Sequence, residues 1–136
     1  FREAHIDTAC MDLVRRPGEF DVIVAENLFG DILSDLTAGL SGGPGLAPSA
    51  NIGDTYAVFE PVHGSAPDIA GKNTANPCAA VLSASMMLDW LGERQLAQRL
   101  HSAVRTVLTE ARTRTPDLGG TATTKQMASA IIAAAN

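Results

Sequence analysis

The chain has 136 residues, 46% of them hydrophobic and 18% charged, which suits a folded domain and excludes a disordered or fibrous segment. Ten basic residues against fifteen acidic ones leave a net charge of −5, and no basic block interleaves with aromatics, so nucleic acid is not the expected partner. Aromatic residues make up only 4%, so a core has to be built mostly from Ala, Leu, Val and Ile, and no apolar run approaches the roughly 18 residues that span a bilayer. Cys10 and Cys78 are too few for a disulfide scaffold and lie in apolar, helix-like contexts. They read as small buried thiols of a reducing compartment, and a cytoplasmic protein is expected. The chain opens on Phe1 and enters a helical pattern at once, which reads as a segment of something longer.

Ile6, Ala9, Cys10, Leu13 and Val14 fall at helical spacing within residues 1–16, ahead of Arg15-Arg16 and the stop signal Pro17-Gly18. Phe20–Ala25 is a short β-branched run and reads as a buried strand. Asn27 is the expected cap of a second helix reaching Leu40, with Leu28, Ile32, Leu36 and Leu40 on its apolar face. Residues 41–54 read as a loop rich in Gly, Pro, Ser and Asn, and Tyr56–Glu60 as a strand. A second glycine-rich loop runs from His63 to Asn76. Pro77 opens an almost wholly apolar helix ending near Leu91, with Met86 and Met87 as core filling. An amphipathic helix follows from Glu93 to about Arg112, and Thr123 or Thr124 caps a final one reaching Ala135. Two or three strands and about five helices make an α/β chain with few strands for a complete α/β domain.

Asp31 and Asp35 lie four apart on the second predicted helix, so their carboxylates leave one face a turn apart and repel each other. A divalent cation that prefers oxygen ligands, Mg²⁺ or Mn²⁺, would relieve that repulsion, whereas a solvated helix face is the simpler alternative. Asp7 is a third acid that spacing does not bring to the other two. Asp12 reads as a surface residue. In the loop, Gly64 and Gly71 let a ligand approach the backbone, and successive amides can cradle a phosphate. Asp68, just beyond, suits the hydroxyls of an adenine ribose. The alternative is a structural turn with an exposed acid, and His63 alone reads as a loop histidine. His5 and His101 lack companions, and neither a nucleophile elbow nor a zinc spacing is present.

Taken together, Asn27-Leu-Phe-Gly-Asp31-Ile-Leu-Ser-Asp35, Gly45-Leu-Ala-Pro-Ser49-Ala-Asn51-Ile-Gly53, Glu60-Pro-Val-His63-Gly-Ser-Ala-Pro-Asp68-Ile-Ala-Gly71 and Ala75-Asn76-Pro77 resemble the β-decarboxylating dehydrogenases. These are the isocitrate, isopropylmalate, homoisocitrate and tartrate/malate enzymes. Asp117-Leu-Gly-Gly120 with Ala122-Thr-Thr124 resembles that family's C-terminal signature, and the likeness extends over essentially the whole chain.

The resemblance implies an isopropylmalate dehydrogenase-like α/β fold, incomplete here, with a two-domain parallel or mixed sheet and helices on both faces. Residues 1–41 would end the dimerisation and metal-binding domain, and residues 42–136 would form the C-terminal half of the NAD-binding domain. Asp31 and Asp35 would ligate Mg²⁺ or Mn²⁺ in one subunit, and Asp7 would reach the same metal from the other subunit of a homodimer. The substrate would be a 2-hydroxy di- or tricarboxylate, oxidised by NAD and then decarboxylated. Glu60 would lie near the nicotinamide, while His63, Gly64, Ser65, Ala66, Asp68, Ile69 and Asn76 would hold the adenosine half. Asp68-Ile69 fits NAD, since an acid repels a 2′-phosphate, and NADP-using members carry a Lys-Tyr pair there. The family's catalytic Lys and Tyr and its arginine cluster would all precede Phe1. Lys72 and Lys125 are the only lysines, and neither matches the motif. Isolated, the chain is expected to be inactive and poorly soluble. The contrasting expectations are a truncated, non-catalytic paralogue that binds NAD or pairs with a complete subunit, and a generic phosphate-binding module.

Overall fold

A computed structural model describes residues 1–136. The chain divides into two compact units, Phe1–Ser41 and Gly42–Asn136.

The first unit is a helical pair, α1 (Ile6–Arg15) and α2 (Asn27–Leu40), with a 3₁₀ turn at Pro17–Glu19 between them. Ala9, Leu13 and Leu33 form its small core, supported by Ile6, Cys10, Phe20 and Leu36. Glu26, not Asn27, is the N-cap of α2, and Asn27 lies inside the first turn. Asp12 proves to be buried rather than a surface residue. One turn separates it from Arg16, whose guanidinium donates to Asp12 Oδ1 at 2.7 Å, and Arg2 stands 3.7 Å from Oδ2. The bonded Arg16 holds the Asp12 carboxyl below its ordinary value, with burial opposing.

The run Phe20–Ala25 forms no strand. β-Branched residues stabilise a ladder only against a neighbouring strand, and no other segment pairs with this one, leaving Val22 83% and Val24 90% exposed. The same lack of cover leaves Leu28, Phe29, Ile32 and Leu40 of α2 exposed.

The second unit packs a β-ribbon and three helices. β1 (Pro48–Ile52) and β2 (Ala57–Pro61) pair antiparallel, with Pro48 opposite Pro61 and Ile52 opposite Ala57. The observed sheet is therefore a two-stranded antiparallel ribbon, and the strand expected at Tyr56–Glu60 is shifted by one residue. β1 falls inside the segment expected to be a loop. The ribbon alternates: Ala57, Phe59 and Pro61 are half-buried, whereas Val58 and Glu60 are exposed. Phe59 meets Trp90 of α3 (Cys78–Trp90) with ring centroids 6.1 Å apart.

Helix α3 packs on the ribbon and on α4 (Arg94–Glu110), which in turn packs on α5 (Thr124–Ala135). Cys78, Ala103, Val104, Val107, Met127 and Ile131 are the core of this unit. Met86 and Met87 are not core residues but lie partly exposed. Thr123 caps α5 through a full capping box with Gln126. Cys10 is half-buried and Cys78 fully buried, both free thiols. No helix is long and apolar enough to cross a membrane.

Candidate functional site

The periodicity of α2 projects Asp31 and Asp35 from the helix one turn apart, and both are exposed. Asn27 Nδ2 donates to Asp31 Oδ2 at 3.3 Å. Asp35 makes no side-chain hydrogen bond, and every ion pair of the chain involves Asp12 or Glu19 instead. Thus the two acids face water, and no Arg, Lys or His side chain pairs with either. Asp7, exposed in the first turn of α1, accepts a 2.7 Å bond from the Thr8 amide. It does not join the other two, and no group of three His, Cys, Asp or Glu residues forms in the single chain. As a donor set, the carboxylates of α2 fit a hard divalent cation such as Mg²⁺ or Mn²⁺. They do not fit a soft metal, which would call for thiolate or imidazole.

Glu60 lies on the outward face of β2, opposite Ser49. The loop beyond it turns through left-handed backbone at Ala66 (φ 43°), Gly71 (φ 75°) and Asn73 (φ 57°). Within it, the Ile69 amide donates to the Ala66 carbonyl and the Lys72 amide to the Ile69 carbonyl, each at 3.1 Å. His63 Nδ1 donates to the Gly64 carbonyl at 3.0 Å, and His63, Gly64, Ser65, Ala66 and Asp68 are exposed, with Ile69 half-buried. These residues present amides, a hydroxyl and a carboxylate to solvent along one short stretch, a donor set suited to a phosphate and a ribose.

Asn76 behaves differently. It is buried, its Oδ1 accepts from the Cys78 amide at 2.9 Å, and its Nδ2 donates to Asp117 Oδ2 at 2.9 Å. These two bonds fix the orientation of its side chain. Asp117 and Gly45 are the partners that the spacing did not reveal. A Cβ on Gly45 would sit 2.9 Å from Asn76 Cβ and from Asp117 Oδ2, so only glycine admits this close approach. Burial, with Asp117 nearby, pushes the Cys78 thiol up to about 11. A surface hollow of about 600 Å³ beside Arg112, Thr121 and Lys125 contains none of the candidate residues.

Comparison with known proteins accords with these motifs. Residues 1–131 match the isocitrate/isopropylmalate dehydrogenase family model, and the chain belongs to that family of dehydrogenases. It is 66% identical over 129 residues to the isocitrate/homoisocitrate dehydrogenase of Thermus thermophilus, covering 95% of this chain and 38% of that protein. Over 123 residues it is 54% identical to a probable mitochondrial isocitrate dehydrogenase [NAD] alpha subunit of Caenorhabditis elegans, covering 90% and 34%. The crystal structure of isocitrate dehydrogenase from Methylococcus capsulatus superposes with a TM-score of 0.93 at 52% identity, over 96% of this chain and 39% of the other. A β-decarboxylating dehydrogenase from Thermococcus kodakarensis superposes at 0.88 with 50% identity, over 98% and 40%. The fold is thus of the isocitrate dehydrogenase type, and the chain spans well under half the length of these relatives.

Proposed function

We propose that these residues form the C-terminal part of an NAD-dependent, Mg²⁺- or Mn²⁺-dependent oxidoreductase that oxidises a 2-hydroxy di- or tricarboxylate and decarboxylates the β-keto acid. The observation that carries the reading is the exposed Asp31–Asp35 pair, without a cationic partner, on a helix of a chain in this family. Residues 1–41 supply the metal acids and the homodimer contact, and residues 42–136 supply half of the NAD site.

Asp31 and Asp35 bind the cation from one subunit, and Asp7 binds it from the other. Held by these acids, a divalent cation would supply Lewis-acid chemistry, easing loss of the hydroxyl proton that must accompany hydride transfer and stabilising the enolate oxygen left by decarboxylation. Glu60 borders the nicotinamide. Exposed amides at Gly64–Ala66 receive the phosphates, Asp68 accepts from the ribose hydroxyls, and the Asn76 backbone meets the adenine. The names of the relatives, among them a 3-isopropylmalate/3-methylmalate dehydrogenase of Methanocaldococcus jannaschii, support the substrate class. Two free thiols and no disulfide fit a reducing compartment, taken here as the cytoplasm.

The test is NADH formation by the complete subunit carrying these residues, offered isocitrate, homoisocitrate or 3-isopropylmalate. Turnover with Mg²⁺ or Mn²⁺ that EDTA abolishes is expected. Turnover unaffected by EDTA, or none with any of the three acids, refutes the proposal.

A further inference from the structure

The glycine-rich loop is held only by its own local bonds over Gly64–Lys72, but its exit is fixed from far along the chain. Thr124 Oγ1 donates to the Ala75 carbonyl at 2.6 Å across 49 residues, and the Thr124 amide donates to the Asn73 carbonyl at 2.9 Å. The Lys125 amide donates to Asn73 Oδ1 at 3.2 Å across 52 residues. Thr124 and Lys125 open α5, where backbone amides have no partner inside the helix, and the loop takes up two of them. Capping is done by Thr123, which leaves the Thr124 hydroxyl for the loop. Asn73 stands at φ 57°, a conformation asparagine tolerates better than most residues, and this turns its own carbonyl and side chain together toward α5. Met127 and Ile131, farther along α5, are buried in the core, so the anchor is rigid.

We propose that Thr124 and Asn73 are positioning residues of the dinucleotide site, latching the exit of the adenosine loop to the first turn of α5. The inference rests on the loop being the NAD site proposed above, and it names what sets the loop's affinity. Neither residue touches the reacting atoms. Their effect is confined to where the backbone of Ala75 and Asn76 stands.

The experiment compares Thr124→Ala with Thr124→Ser, and Asn73→Gly with Asn73→Asp, in the complete subunit. Asn73→Gly keeps the left-handed turn and loses the side-chain acceptor, whereas Asn73→Asp keeps both. Thr124→Ala and Asn73→Gly are each expected to raise KM for NAD about fivefold, the effect of one hydrogen bond. Their kcat and their KM for the hydroxy acid should stay within about twofold. The Ser and Asp variants should return KM for NAD to the wild-type value. An unchanged KM for NAD overturns the inference, as does a rise shared with the other two parameters or a failure of the conservative variants to rescue. A wild-type subunit that does not use NAD at all refutes the underlying reading, a result visible before any variant is compared.

Discussion

Gly45→Ala perturbs the second unit at a contact that reaches the candidate site. The added Cβ would lie 2.9 Å from Asn76 Cβ and from Asp117 Oδ2, and 3.2 Å from Asn76 Nδ2. Ordinary contact starts near 3.4 Å, so about half an ångström has to be found by moving Asn76, Asp117 or the turn that holds Gly45. Overpacking of this kind costs about 1–3 kcal/mol. Parting Asn76 from Asp117 removes a hydrogen bond worth about 0.5–1.5 kcal/mol. The expected loss is therefore about 1.5–4.5 kcal/mol in the unit that contains Gly45. Urea unfolding of the complete subunit, followed by the fluorescence of Trp90, reads it as a lowered midpoint at similar slope. Because Asn76 also ends the loop assigned to adenosine, KM for NAD should rise in the same variant. Gly39→Ala is the control: nothing lies within 4 Å of its added Cβ, and a helical alanine should stabilise α2 by about 0.5–1 kcal/mol. A Gly45→Ala subunit with unchanged midpoint and unchanged KM would refute the close-packed Gly45–Asn76–Asp117 contact.

Further outcomes follow from single side chains. Asp68→Lys should lower kcat/KM for NAD about tenfold and raise it for NADP, because a ribose acceptor becomes a phosphate partner; steady-state rates with both dinucleotides check this, and an unchanged ratio contradicts it. Cys78, with its thiol raised from 9.0 to about 11, should resist iodoacetamide at neutral pH while Cys10 reacts, as peptide mapping would read. The same shift makes the native state hold its proton longer than the unfolded one, so stability falls as pH rises above 9.0. Asp12 shows the opposite sign: its native value lies below the ordinary 3.8, so its contribution is present above that pH and is lost as acid protonates it. Asp12→Asn should flatten the acid limb of stability measured by urea unfolding from about pH 5 to about pH 3.

What the sequence revealed was local. The start of α5 could be placed at Thr123 or Thr124 because a cap and its bonds lie within one turn, and the structure puts the cap at Thr123. The Asp31–Asp35 pair is visible for the same reason, since helical periodicity alone sets that distance. What depended on distant partners was not legible. β1 carries Pro48, Ser49 and Asn51, poor strand formers, and is a strand because β2 pairs with it. Phe20–Ala25 has the opposite fault, good strand composition with no strand beside it. The burial of Asp12 follows from two arginines reaching the same carboxylate, and the role of the Asn76 side chain from Asp117, 41 residues away. The loop residues His63–Ile69 could be singled out by type, but their anchorage to Thr124 is a product of tertiary packing.

Subunit complementation addresses the shared cation site most directly. Asp7→Asn and Asp35→Asn homodimers should each be almost inactive, since every site in them lacks one ligand. Co-refolded, half of the dimers would be mixed, and in each of those one of the two sites would regain all three acids, so about a quarter of wild-type activity should return. A mixture as inactive as its parents would contradict a site built from Asp31 and Asp35 of one chain and Asp7 of the other.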